Sequence, residues 1–201
     1  VTNSSPVAWK KNGKNYLISH TRDALVAMNP RTGEIIWTLR AGGDSTPAIQ
    51  GDLLTVQCRK ETQGFIAVQL HEKEPKQLWS NPFEARRTQS SPIIDGGVTY
   101  LIDNSTAYCH DLRTGKLLWQ QKVPASITSP VMADGKFFII TDRGNNLTMY
   151  RPQKESLAEL GKTRIKALYC PSPCVTDGYV VLRQLDKLVC YDITEGAIRS
   201  N

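Results

Sequence analysis

Five Ser-Pro or Thr-Pro pairs punctuate the chain, and their spacing limits the fold more than any other feature. The prolines Pro6, Pro47, Pro92, Pro130 and Pro173 lie 41, 45, 38 and 43 residues apart. The clearest unit runs from Ser90 to Trp119, SSPIIDGGVTYLIDNSTAYCHDLRTGKLLW. Ser91-Pro92 opens a short apolar run, Gly96-Gly97 turns it, and Val98 to Ile102 is rich in β-formers. Asp103-Asn104-Ser105 breaks the pattern before a third run, Ala107 to Leu112. Arg113-Thr114-Gly115 then turns into a short fourth run, Lys116 to Trp119. Four short runs separated by turn residues predict an antiparallel meander. Repetition at this period predicts the four-stranded blades of a β-propeller, an all-β fold with almost no helix.

The other units repeat the outline with varying fidelity. Asn29-Pro30-Arg31-Thr32-Gly33-Glu34-Ile35-Ile36-Trp37 matches Asp111 to Trp119 place by place, and Asp192 to Gly196 keeps the same Asp-to-Gly spacing. The second unit keeps Trp79 but replaces the turn with His71-Glu72-Lys73-Glu74-Pro75. The fourth has Arg151-Pro152 and no Trp, and the fifth has Ser200 at the Trp place. The repeats therefore fall at approximately 4–40, 45–80, 90–122, 128–162 and 172–200 within one domain, 1–201. In the fourth, a weak last run is expected near Leu157 to Leu160, and in the fifth at most a vestigial one. Because Trp37, Trp79 and Trp119 recur with the repeat, they are expected to pack blade against blade, with Gly33 and Gly115 as the turn glycines. Aligning the third runs puts Ala27, Ala67, Cys109, Met149 and Cys190 at one position, expected to face a neighbouring blade.

Charge and motifs narrow the function. The formal net charge is +6, from 25 basic and 19 acidic residues, and it is dispersed along the chain. The nearest approach to a cluster lies in the segments before the Ser-Pro signals: Arg40, Arg86, Arg87, Lys162, Arg164 and Lys166. Loops entering the innermost strands of successive blades share one face, so Arg40, Arg86, Arg87, Arg164 and Lys166 are expected to form a basic rim for a protein or acidic polymer partner. With neither a basic helix nor an RNA-recognition motif, nucleic acid is not the expected partner. There is no run of about 18 apolar residues to cross a bilayer. The longer, charged turn Arg59 to Gly64 is a second candidate contact. Five cysteines cannot pair completely within one chain. Cys170 and Cys174 frame Cys-Pro-Ser-Pro-Cys, which accommodates either a small disulfide loop or two free thiols. That pair offers too few ligands for a zinc site, and no other metal site is expected. Asp111 and Asp192 sit where the repeat needs a turn-forming carboxylate, and His110 is a strand residue. The chain has no Gly-x-Ser-x-Gly elbow, His-Glu-x-x-His helix or phosphate-cradling loop, so catalysis is not expected.

These units resemble the pyrroloquinoline-quinone-type propeller repeat. The likeness is carried by Ser91, Pro92, Gly96, Asp111, Thr114, Gly115 and Trp119, and by Pro6, Asn29, Thr32, Gly33 and Trp37. The resemblance implies either a non-catalytic scaffold, as in bacterial outer-membrane β-barrel assembly, or a quinone-dependent alcohol or sugar dehydrogenase, or a sensor ectodomain. Only the dehydrogenase would need pyrroloquinoline quinone and Ca²⁺. It would also call for adjacent cysteines, whereas the closest pair here is Cys170 and Cys174. The scaffold reading implies a periplasmic, secreted or envelope-associated chain. Relatives commonly carry seven or eight blades, so five repeats are expected to belong to a larger ring, completed by a longer parent chain or by self-association.

Overall fold

The computed structural model describes residues 3–59, 63–82, 90–126, 128–168 and 171–194. Two compact units divide the chain, Val1–Val123 and Pro124–Asn201. Three meanders belong to the first. Blade 1 comprises β1 (Val7–Lys11), β2 (Lys14–His20), β3 (Leu25–Met28) and β4 (Ile35–Leu39); blade 2 comprises β5 (Ala48–Gln50), β6 (Leu53–Gln57), β7 (Phe65–Gln69) and β8 (Lys76–Asn81). Each is a four-stranded sheet in sequence order, and its pairs are antiparallel. Blade 3 has β9 (Ile93–Asp95), β10 (Val98–Asp111) and β11 (Leu117–Ser126). The fourteen-residue β10 contains both the second and the third expected runs. Its ends meet where the Leu112 amide donates to the Gly97 carbonyl at 3.0 Å, so the segment doubles back; Asn104, at φ 53°, supplies the reversal.

The second unit holds blade 4, with β12 (Val131–Ala133), β13 (Lys136–Thr141), β14 (Asn146–Pro152) and β15 (Leu157–Arg164), and blade 5, with β16 (Cys174–Thr176), β17 (Tyr179–Arg183) and β18 (Leu188–Asp192). The vestigial fourth run of blade 5 lies outside the described residues. A single 3-10 turn, Asp142–Gly144, is the one helical element among those described. Two runs are longer than the sequence suggested: β15 continues to Arg164, and β11 to Ser126, where a crossing loop was expected. Both pair with a neighbour, β14 or β10, that supplies ladder partners beyond the apolar residues.

Repeat signals in the sequence have physical counterparts at the seams. The residues before the prolines link neighbouring blades, the amide of one donating to the hydroxyl of the next. The Ser5 amide donates to Thr46 Oγ1 at 2.9 Å, the Thr46 amide to Ser91 Oγ at 3.1 Å, and in the second unit the Ser129 amide to Ser172 Oγ at 3.0 Å. Pro follows at the place where the chain needs no further donor. The tryptophans close the outer part of the seam. Trp37 Nε1 donates to the His71 carbonyl at 3.1 Å and Trp79 Nε1 to the Leu112 carbonyl at 2.9 Å, and Trp37, Trp79 and Trp119 are all buried. Gly115 lies so close to Trp79 that a Cβ there would stand 2.6 Å from the indole, which explains glycine in that turn beyond its φ of 72°. The third and fourth strands shift register at equivalent places, after Ala27, Ala67 and Met149. Such bulges sharpen local twist.

The aligned small residues are buried at Ala27, Ala67 and Cys109 and partly buried at Met149. Cys190 departs from the expectation: it is exposed, because among the described residues no blade packs on that face of β18. The cores are interblade. Ile18, Leu25, Leu54, Val56, Ile66 and Leu70 are fully buried in the first unit, and Ile140, Val180 and Leu182 in the second. Apolar burial at about 25 cal/mol per Å² makes these seams the main source of stability.

Candidate interaction surface

In both units the chain crosses between blades by docking on the turn that joins the second and third strands. In blade 4 this turn is left-handed over three residues, with Asp142 at φ 51°, Arg143 at 56° and Gly144 at 92°. Its carbonyls then face the crossing segment after β15: the Ile165 amide donates to the Asn145 carbonyl at 2.8 Å and the Ala167 amide to the Gly144 carbonyl at 2.7 Å. A Cβ on Gly144 would stand 2.3 Å from the Ala167 oxygen, so only glycine permits this approach. Blade 5 holds the other side. The Leu168 amide donates to the Arg183 carbonyl at 3.0 Å, and Gln184 Nε2 to the Ile165 carbonyl at 2.7 Å. Ile165 is buried, and Arg164 and Lys166 on either side of it are exposed.

Two cations that the sequence reading overlooked join them. Arg143 and Arg183 are exposed on the two turns to which the segment carrying Arg164 and Lys166 is hydrogen-bonded. Asp142 and Asp186 are the acids on the same turns, and Asp142 accepts a hydrogen bond from Asn146. Only the strand alignment could have found Arg143 and Arg183, since both lie at turns that precede a third strand. Arg40 is exposed at the corresponding crossing in the first unit, where its carbonyl accepts from Gln63 Nε2 at 2.8 Å and Arg59 pairs with Asp44 at 3.2 Å. Arg86, Arg87 and Lys60 to Thr62 lie outside the described residues. Cys170 does too, and with it the pairing of Cys170 and Cys174.

The carboxylates that invite a catalytic reading are occupied locally. Asp111 Oδ1 accepts from the Arg113 amide at 3.1 Å, the Thr114 amide at 2.7 Å and the Thr114 hydroxyl at 2.8 Å. These bonds, the Thr114 amide's foremost, hold its carboxyl below the usual range. Asp192 accepts in the same way from the amide and hydroxyl of Thr194. His110 is buried against Phe65 and Trp79, with ring centroids 5.5 and 6.1 Å away, and burial pushes its pKa down to about 4. It is a neutral packing residue at pH 7. Among the described residues no group of three His, Cys, Asp or Glu is placed to hold a metal ion, and no helix is long and apolar enough to cross a membrane.

Comparison with known proteins agrees with this architecture. The family model described as outer membrane protein assembly factor BamB matches residues 3–200. BamB of Salmonella typhimurium is 26% identical over 138 residues, which is 64% of this chain and 32% of that protein. The chain thus spans about a third of that curated relative. Among solved structures, BamB from Moraxella catarrhalis superposes with a TM-score of 0.67 at 17% identity, covering 96% of this chain and 61% of the other. The WD40 domain of Toxoplasma gondii coronin gives 0.67 at 13% identity, covering 90% and 54%. At such identities the structures establish the β-propeller fold alone, whereas the family match extends over nearly the whole sequence. The chain therefore belongs to the pyrroloquinoline-quinone-like propeller-repeat family described as outer membrane protein assembly factor BamB.

Proposed function

We propose that this chain is part of a non-catalytic scaffold propeller of the cell envelope that holds a protein partner during outer-membrane protein assembly. The family match over residues 3–200 carries this reading, with the assembly role that the relative is named for as its source. The binding surface proposed is the loop end of the blades, with Arg143, Arg164, Lys166 and Arg183 as the electrostatic centre in the second unit and Arg40 at the equivalent crossing in the first. Backbone hydrogen bonds on two sides fix the crossing segment, so these cations are presented on a pre-organised frame. An acidic protein surface is the complementary partner, and the docking is expected to weaken with salt. The repeats are proposed to act as one propeller domain.

The test is genetic and biochemical together. Deleting the gene in its own host should lower the yield of folded outer-membrane proteins, and the intact gene should restore it. A double charge reversal, Arg164→Glu with Lys166→Glu, should fail to restore it while leaving the thermal midpoint of the purified chain unchanged. Normal outer-membrane protein in the deletion strain would refute the assembly role. Full restoration by the charge-reversed gene would refute the surface and leave the assembly role standing.

A further inference from the structure

The seams between blades 1 and 2 and between blades 4 and 5 can be superimposed residue by residue through their strand register, and one position differs sharply in size. In blade 1 the cross-strand pair is Trp9 and Tyr16, whose rings lie 4.8 Å apart and are buried. The indole fills the space against the first turn of blade 2, where Trp9 Nε1 donates to Asp52 Oδ1 at 3.1 Å. In blade 4 the pair at this register is Ala133 and Lys136. Ala133 is too small to fill the space, and Lys136, paired with Asp134, forms one wall of it without occupying it. A cleft of about 490 Å³ remains, lined by Ala133, Lys136, Phe138, Met149, Val175 and Ile193 and bounded by Asp177 in the first turn of blade 5. Its floor belongs to the interblade core, since Phe138 is 5% exposed, while Ile193 at the mouth is 42% exposed. The volume is in the range of ligand-binding clefts.

We infer that this cleft binds an aromatic side chain of indole type, carried by a partner polypeptide, with the ring on Phe138 and Met149 and the indole N–H donating to the Asp177 carboxylate. The molecule itself supplies the template: at the sister seam the corresponding space holds an indole whose N–H is taken by a carboxylate of the same turn. Ring and rim match in chemistry as well as size. An aromatic face against Met sulfur and a Phe edge is favourable. A rim carboxylate accepts a donor, and the neighbouring Asp134 is already neutralised by Lys136. This site goes beyond the scaffold reading and does not depend on it.

The test is a titration of the whole chain with N-acetyl-tryptophanamide, following the methyl resonances of Ala133, Met149, Val175 and Ile193. Saturable shifts confined to these methyls are expected, with a Kd of about 0.1–1 mM for so small a probe. Ala133→Trp should fill the space from within, raising the thermal midpoint and weakening the probe at least about tenfold. Asp177→Asn should weaken it about three- to tenfold. N-acetyl-leucinamide, lacking the ring and its N–H, should bind at least about threefold more weakly than the tryptophan probe. Absence of saturable shifts up to about 10 mM would overturn the site. Unchanged affinity in a folded Ala133→Trp chain would overturn it as well. If that variant does not fold, the other two comparisons decide: equal binding of the leucine probe removes the aromatic assignment, and unchanged affinity in Asp177→Asn removes the carboxylate.

Discussion

Between blades 1 and 2, Trp9 and Tyr16 pass hydrogen bonds to Asp52 and Glu72, His20 sits fully buried between the Ser45 and Ala41 carbonyls at 2.7 and 2.9 Å, and Ser45 Oγ accepts from the Gln57 amide. Between blades 4 and 5 the second-strand place of His20 holds Ile140, which packs with Phe138, Val180 and Leu182. The first seam thus carries a buried, hydrogen-bonded histidine and a filled aromatic site, and the second is apolar at the histidine's place and open at the aromatic one. All three histidines, His20, His71 and His110, belong to the first unit. A common backbone plan therefore supports two responses to the environment. Directional bonds give the first unit specificity and sensitivity to acid, whereas the second keeps its seam through dispersion and apolar burial.

The largest effect that could break this contrast is expected at a seam tryptophan. Trp79→Ala should cost about 3–5 kcal/mol in urea unfolding, because it removes a buried ring and strands the Leu112 carbonyl. Leu182→Ala in the second unit should cost about 2–4 kcal/mol with no polar group stranded. A loss of no more than about 0.5 kcal/mol for Trp79→Ala would mean that the indole does not hold the seam.

Acid should act on the first unit, with two opposed slopes. Burial holds His110 at about 4 against its ordinary 6.5, so the unfolded chain takes up that proton first. Stability from the neutral ring is full above pH 6.5 and drains as pH falls to about 4, by about 3 kcal/mol in all. Burial raises the Asp103 carboxyl from 3.8 to about 6, so there the native chain takes up the proton first. Its contribution is full below 3.8 and is lost as pH rises through about 6, again by about 3 kcal/mol. The parent chain should show a shallow net slope between these limits. His110→Phe should lose stability as pH rises, and Asp103→Asn as pH falls. Urea midpoints that run parallel in all three proteins would remove both groups from the account.

A smaller difference is expected between two glycines of the same motif. Gly115→Ala forces a Cβ to within 2.6 Å of Trp79, whereas at Gly33 nothing lies within 4 Å of the same position. Both substitutions pay for a left-handed backbone, and Gly115→Ala should cost about 1–3 kcal/mol more. Identical thermal midpoints would show that the Trp79 ring moves aside freely. At the bottom of the scale, charge reversal at Arg164 and Lys166 should change stability by no more than about 0.5 kcal/mol. A greater loss would mean that these side chains hold the crossing segment.

Local chemistry explains which features could be read in advance. Proline, glycine and the Asp-to-Thr turn act within a few residues, so the strands, the buried tryptophans and the structural role of Asp111 follow from neighbours in sequence. Features of the seam depend on residues far apart in sequence, from about half a repeat to a whole one. The docking of the segment that carries Lys166 on the turn that carries Arg143 needs the Gly144 to Ala167 bond, and the cleft beside Ala133 needs the register of two blades at once. The exposure of Cys190 likewise depends on what packs on β18. The length of β11 follows from its partner strand, because its own residues from Gln120 onward are not patterned as a strand.

The hydroxyl lace before the prolines bears on how such a chain can grow. Each link joins a backbone amide to a Ser or Thr oxygen, groups that every repeat carries whatever its outer residues are. The joint consequently recognises a neighbour as a member of the series without regard to which member it is. A gene encoding it can lengthen by in-frame copying of one repeat, with the inner joint already made, and each copy is then free to diverge at its outer strands. Trp9 and Ala133 illustrate that freedom: the same inner joint stands beside two different uses of the space outside it.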